Sequence, residues 1–160
     1  MLKRIMIVAL ALTFVFGAQI ANAGLLEDIQ ARGELIAGVK DAVVPFGFVD
    51  EATNDIVGFD IDICRYIADK LGVELRLEPV TSATRIPMLE QGSVDILAAT
   101  MTHKFERDEQ IDFSITYFMD GQKLLVAADS GITSVADLAG QKVGTSKGST
   151  SEQNIAEAQP

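Results

Sequence analysis

Lys40 ends a strand-like run, and Arg85 and Arg107 each follow one, with the hydroxyls of Ser82, Thr100 and Thr102 close by in sequence. These residue types suit the capture of a small anion. A guanidinium offers forked N–H donors that match a carboxylate in two places, an ammonium adds a point charge, and hydroxyls add neutral donors. The runs are Glu34 to Lys40 (ELIAGVK), Val73 to Val80 (VELRLEPV) and Val94 to Ala99 (VDILAA). In open parallel α/β sheets, ligands bind beyond the carboxyl ends of the strands, so the three cations fall on one predicted rim. Spacing alone leaves a second reading open, in which they are solvated surface charges paired with neighbours.

Other candidates for chemistry are weaker. The stretch GTSKGSTS (144 to 151) fails the phosphate-loop pattern, because Lys147 precedes Gly148. What remains is a hydroxyl-rich turn before a helix, where backbone N–H groups of Ser149 and Thr150 would suit a carboxylate. His103 is the only histidine and has no Cys or His neighbour at metal-ligand spacing, so it reads as an exposed loop residue. No catalytic triad, metal site or cofactor motif can be assembled around it. Asp60 and Asp62 straddle a helix start and most simply serve the helix dipole. Cys64 lies with Ile67, Ala68 and Leu71 on an apolar helical stripe and reads as a small core residue.

The elements that must position these residues alternate. A short helix from Leu25 to Arg32 stops at Gly33 and leads into the first strand. Phe46 to Val49 and Ile56 to Phe59 flank the polar excursion DEATND, and Asp60 to Leu71 follows as a helix closed by Gly72. VELRLEPV is a strand, Thr84 to Gln91 a short helix, and VDILAA a buried strand. This is βαβ logic, and it predicts an α/β fold with a mostly parallel sheet. A second lobe is expected from Lys123, with Lys123 to Ala128 and Lys142 to Thr145 as its strands. A helix at Ser134 to Ala139, started by a Ser134/Asp137 capping box, and another from Thr150 to Ala158 would complete it. These elements are too few to bury a core of their own, so the second lobe must lean on the first or be incomplete.

Composition narrows the function class. The 160 residues carry a formal charge of −10, which offers no footprint for nucleic acid. At the N-terminus, Lys3 and Arg4 precede an apolar run from Ile5 to Ile20 and an Ala21-Asn22-Ala23 cleavage pattern, the marks of a secretory signal over residues 1 to 23. Its removal takes two basic residues and no acidic one, so the exported chain from Gly24 carries −12. Cys64 is far from the cleavage site, so nothing signals a lipid anchor, and a freely soluble periplasmic protein is expected.

The run Gly58-Phe59-Asp60-Ile61-Asp62-Ile63, followed by Ile67, Ala68 and Leu71, resembles the signature of the family 3 extracellular solute-binding proteins of amino-acid ABC transporters. VVPFGF, RIPML, GSVDILAA, the threonine loop ending in Glu106-Arg107, IDFS and GSTSE agree with it. The resemblance implies a type II periplasmic binding fold: two α/β lobes with mostly parallel sheets that close by a hinge on a free amino acid. It divides this chain into lobe 1 (24 to 114), a hinge region (115 to 122) and a partial lobe 2 (123 to 160), since the family continues further. It implies that Arg107 and Thr102 hold the ligand α-carboxylate, that Thr100 offers a backbone carbonyl to the α-ammonium, and that Phe46 is the apolar wall. Ser149 and Thr150 would bring second-lobe N–H groups on closure. TSATRIP is similar to the version in aspartate/glutamate-binding members, which implies that Arg85 reaches the side-chain carboxylate, with Lys40 and Ser82 beside it.

The function so implied is delivery of a polar, acidic amino acid (glutamate or aspartate) to an ABC transporter permease, with no cofactor and no catalytic step. Two other classes share the scaffold: a periplasmic enzyme resembling cyclohexadienyl dehydratase, and the sensing domain of a membrane receptor.

Overall fold

The computed structural model describes residues 24–158, so the signal-peptide reading of residues 1–23 lies outside the described residues. Helix α1 (Leu25–Arg32) places Glu27 and Asp28 in its first turn and Arg32 in its last, each complementing the helix dipole, and buries only Ile29. It feeds strand β1 (Glu34–Val39), which is buried from Leu35 to Val39. Strands β2 (Ala42–Val43), β3 (Gly47–Val49) and β4 (Ile56–Val57) form a small antiparallel sheet in that order. Asp50 closes the β3–β4 turn, its carboxylate accepting the N–H groups of Ala52 at 2.8 Å and Thr53 at 3.0 Å.

Helix α2 (Phe59–Leu71), strand β5 (Glu74–Pro79), helix α3 (Arg85–Glu90), strand β6 (Ile96–Ala98) and the one-turn helix α4 (Phe105–Asp108) follow. The main sheet has the order β5-β1-β6, all parallel, with Glu34 opposite Glu74 and Ala37 opposite Ile96. β1 is central, flanked on both sides, which is why its side chains are the most buried run of the chain. On one face Ala37, Val39 and Ala98 pack against Ile61 and Cys64 of α2; Leu35 joins Ile29 and Ala68 in a second cluster. Full burial of side chains such as Leu35 and Ile61 contributes roughly 1.5–3 kcal/mol each. The buried carboxylate of Asp95 accepts the Ile36 N–H at 2.7 Å and pairs with Arg32, which fastens the end of α1 to the sheet.

Residues 123–158 differ from expectation. Residues 123–128 and 142–145 form no strands, and no strand follows β6 among the described residues. A β segment needs a partner ladder and a face to bury, and these have neither: Leu125 is fully exposed and Leu124, Val126 and Val143 are exposed as well. The expected helix after Ser134 is a 3-10 turn (Val135–Leu138), with its capping box in place. The last helix forms as α5 (Thr150–Glu157), capped by the Ser149 hydroxyl, which accepts the Glu152 N–H at 3.2 Å. The segment rests on the earlier part of the chain. Lys104 donates to Gln153 at 2.9 Å, and a Cβ on Gly148 (φ +76°) would sit 2.8 Å from the Ala83 Cα, so the turn before α5 lies directly on the loop after β5.

Candidate functional site

The ends of β1, β5 and β6 bring the expected cations into the interior. Arg85, Arg107 and Lys40 are 2%, 7% and 8% exposed, which removes the reading of them as solvated surface charges. Arg85 opens α3 and donates through Nη1 to the Ala99 carbonyl at 2.6 Å, while its buried Nε has no partner. Arg107, on α4, donates to the Thr102 carbonyl at 2.7 Å and reaches the Gly148 carbonyl at 3.5 Å. Lys40 donates to the Ser82 hydroxyl at 3.2 Å.

Among the described residues none of the three makes an ion pair. Burial lowers the pKa of all three, that of Arg85 to about 10, with the Arg107 charge adding to the effect. Arg85 in turn adds to the lowering of Lys40. Three buried cations that repel one another are an expensive arrangement until an anion joins them.

The loop from Ala99 to Arg107 also forms one wall of a cleft of about 420 Å³. Phe46, Thr100 and Thr102 line it, and the two arginines, which do not, are bonded to the same loop. Phe46 lies edge-on to Phe118 at 4.8 Å and to Phe59 at 6.2 Å, giving the cleft an aromatic side. The Thr150 hydroxyl meets the Thr102 hydroxyl at 3.3 Å and accepts from Gln122 at 2.8 Å. The Ser149 N–H, expected to be free, is taken up by the Ser146 carbonyl at 3.1 Å. A second cavity of about 430 Å³, between the 3-10 turn and α5, has no charged side chain in its lining and does not suit an anion. His103 is exposed, as expected, and bonded to Asp108 at 2.7 Å.

Asp60 was not legible as a site residue. Only Asp62 stays on the surface, paired with Arg65 at 2.7 Å, while Asp60 is 1% exposed and borders the cleft. One Asp60 oxygen accepts the Thr100 N–H at 3.0 Å and the other accepts the Tyr117 hydroxyl at 3.2 Å. Burial raises its pKa against the pull of those two bonds, and burial together with Asp60 raises that of Tyr117. The available signal was position: Asp60 stands four residues before Cys64, on the same apolar stripe. Thr100 itself has φ +48°, a left-handed conformation that costs a non-glycine residue about 1–2 kcal/mol.

Residues 35–158 match the family model for bacterial extracellular solute-binding proteins, family 3. The chain belongs to this family. It is 50% identical to a glutamine-binding protein of Geobacillus stearothermophilus over 144 residues, covering 88% of this chain and 55% of that one. An L-glutamate/L-aspartate-binding protein of Pseudomonas aeruginosa is 34% identical over 137 residues, 81% of this chain and 45% of that one. Among solved structures, an ancestral arginine-binding protein bound to glutamine superposes with a TM-score of 0.76 at 44% identity, covering 79% of this chain and 56% of that one. The fold is therefore that of the type II periplasmic binding proteins, and the chain spans about half the length of the relatives it matches.

Proposed function

We propose that this chain carries the main ligand contacts of an exported amino-acid receptor serving an ABC transporter permease, and that its ligand is acidic, glutamate or aspartate. The observation behind the proposal is the three buried cations without an anionic partner among the described residues, two of them bonded to the Ala99–Arg107 loop. In this reading Arg107 and Thr102 take the α-carboxylate, the Thr100 carbonyl takes the α-ammonium, and Phe46 packs on the aliphatic part. Arg85, with its open Nε, and the Lys40–Ser82 pair take the side-chain carboxylate. Residues 24–114 act as the first lobe, 115–122 as the hinge, and 123–160 open the second lobe, with Thr150 at the closing face. Export to the periplasm, through the N-terminal segment and without a lipid anchor, belongs to the same reading, which contains no chemical step.

Glutamine is the second reading, favoured by the 50% identity to a glutamine-binding protein, since its amide oxygen can also accept from Arg85. Titration calorimetry decides between them. Glutamate or aspartate is expected to bind more tightly than glutamine, and ligand at 100 times its dissociation constant to add about 2.7 kcal/mol of stability. A clear isotherm with glutamine or arginine and no heat with either acidic amino acid would remove the acidic assignment and keep the site.

A further inference from the structure

We infer that Asp60 is a positioning residue for the ligand site: its carboxylate holds the main chain of Thr100 in the left-handed conformation and ties it to Tyr117 of the connecting segment. The inference rests on the proposed role of Thr100 as a main-chain contact to the ligand.

Four observations converge on Asp60. It is buried in the first turn of α2, a helix whose N-cap is Gly58 and supplies no side-chain cap. The positive end of the helix dipole favours a carboxylate at that position. Its two oxygens are used separately, one by the Thr100 N–H and the other by the Tyr117 hydroxyl, 40 and 57 residues away. Thr100 comes two residues after the end of β6, where the chain turns, and an acceptor for its N–H helps to offset the cost of a threonine at φ +48°. All three residues border one cleft.

With the Thr100 N–H turned onto Asp60, the Ala99–Thr100 peptide plane is fixed, and with it the Ala99 carbonyl that accepts from Arg85. Asp60 thus sets the aim of the loop without needing to touch the ligand. Its tie to Tyr117 reaches the segment that also carries Phe118 against Phe46, so the polar and aromatic sides of the cleft share one anchor.

Three variants and two measurements test this. Asp60→Ala removes both acceptors and is expected to weaken glutamate binding by about tenfold or more. It is also expected to speed hydrogen exchange at the Thr100 amide. Asp60→Asn keeps an oxygen for the Thr100 N–H and can turn its amide toward the Tyr117 oxygen, so it should recover most of both losses. Combining Asp60→Ala with Thr100→Gly should recover part of the affinity, because glycine takes a positive φ without an anchor. Should Asp60→Ala not fold, Asp60→Ser, too short to reach the Thr100 N–H, is read in the same two ways.

Wild-type affinity and wild-type Thr100 exchange in Asp60→Ala, whatever its melting temperature, would reduce Asp60 to a structural acid and overturn the inference. So would an Asp60→Asn variant that binds as poorly as Asp60→Ala with its Thr100 amide still protected, since the carboxylate would then be contacting ligand directly. If the wild-type chain binds no amino acid, the proposed function fails, and the exchange measurement alone still decides what Asp60 does to Thr100.

Discussion

Arg107→Ala is expected to abolish measurable binding of any amino acid, acidic or neutral, whereas Arg85→Ala is expected to harm acidic ligands selectively. Arg107 is bonded to the Thr102 carbonyl and reaches the turn before α5, so it stands between the two walls that a ligand α-carboxylate would join. Truncating one partner of a buried charge pair costs about 2–5 kcal/mol, or roughly 30-fold to several thousand-fold in affinity. Arg107→Lys should recover little, because an ammonium cannot reproduce the fork of a guanidinium. Arg85 has the opposite effect on the empty chain. It is buried beside other cations with its Nε unsatisfied, so Arg85→Met should leave the unliganded melting temperature unchanged or raise it while glutamate affinity falls. Calorimetry with glutamate, glutamine and arginine, paired with thermal melts without ligand, reads both effects. An Arg85→Ala chain that holds glutamate as tightly as wild type would make Arg85 a structural residue.

The second large effect is on folding. Gly58 has φ +131° and ψ 179°, a region open essentially only to glycine, at a cost of about 1–3 kcal/mol for other residues. A Cβ there would also lie 2.5 Å from the Phe46 carbonyl oxygen and 2.7 Å from that of Pro45. Both neighbours are backbone, and both are fixed. The Pro45 oxygen accepts the Phe59 N–H at 3.0 Å and the Phe46 oxygen accepts the Asp60 N–H at 2.9 Å, which pins the β2–β3 turn on the start of α2. Gly58→Ala therefore has no cheap relaxation. It is expected to lose more than about 3 kcal/mol, read as a lower urea midpoint, and to move Phe46 away from Phe118. A midpoint within experimental error of wild type would mean that this turn can shift without cost.

Gly58 also shows what was legible in the sequence. Its run, GFDID, marks the helix and the family, yet the reason for its glycine lies earlier in the chain, in the carbonyls of Pro45 and Phe46. Strand β1 was readable as an apolar run with turn residues at its ends, which a central parallel strand buries on both faces, and β5 by its alternation of charged and apolar residues. Residues 123–128 have the same local pattern and form no strand, because a ladder depends on a neighbour that the local sequence does not specify.

The basic rim could be found for a related reason: residues in the loops that follow parallel strands gather at the strands' carboxyl ends. α4 could not, since a single polar turn has no periodicity to read. Asp60 was legible as an acid at a helix start, but its partners Thr100 and Tyr117 are distant in the chain. The left-handed backbone of Thr100 had no local signal either, because threonine is not a residue that favours it.

The packing of α2 on the sheet gives this protein an internal clock for its own opening. Cys64 is completely buried among Ala37, Val39, Ile61 and Ala98, and burial pushes its thiol up to about 12, so neither reagent access nor thiolate is available while the helix stays docked. A thiol reagent should therefore label the chain only as fast as α2 leaves the sheet, at one site, with no competing cysteine. Labelling rates with and without amino acid then measure how far occupation of the cleft slows the opening of a core on the far side of Asp60.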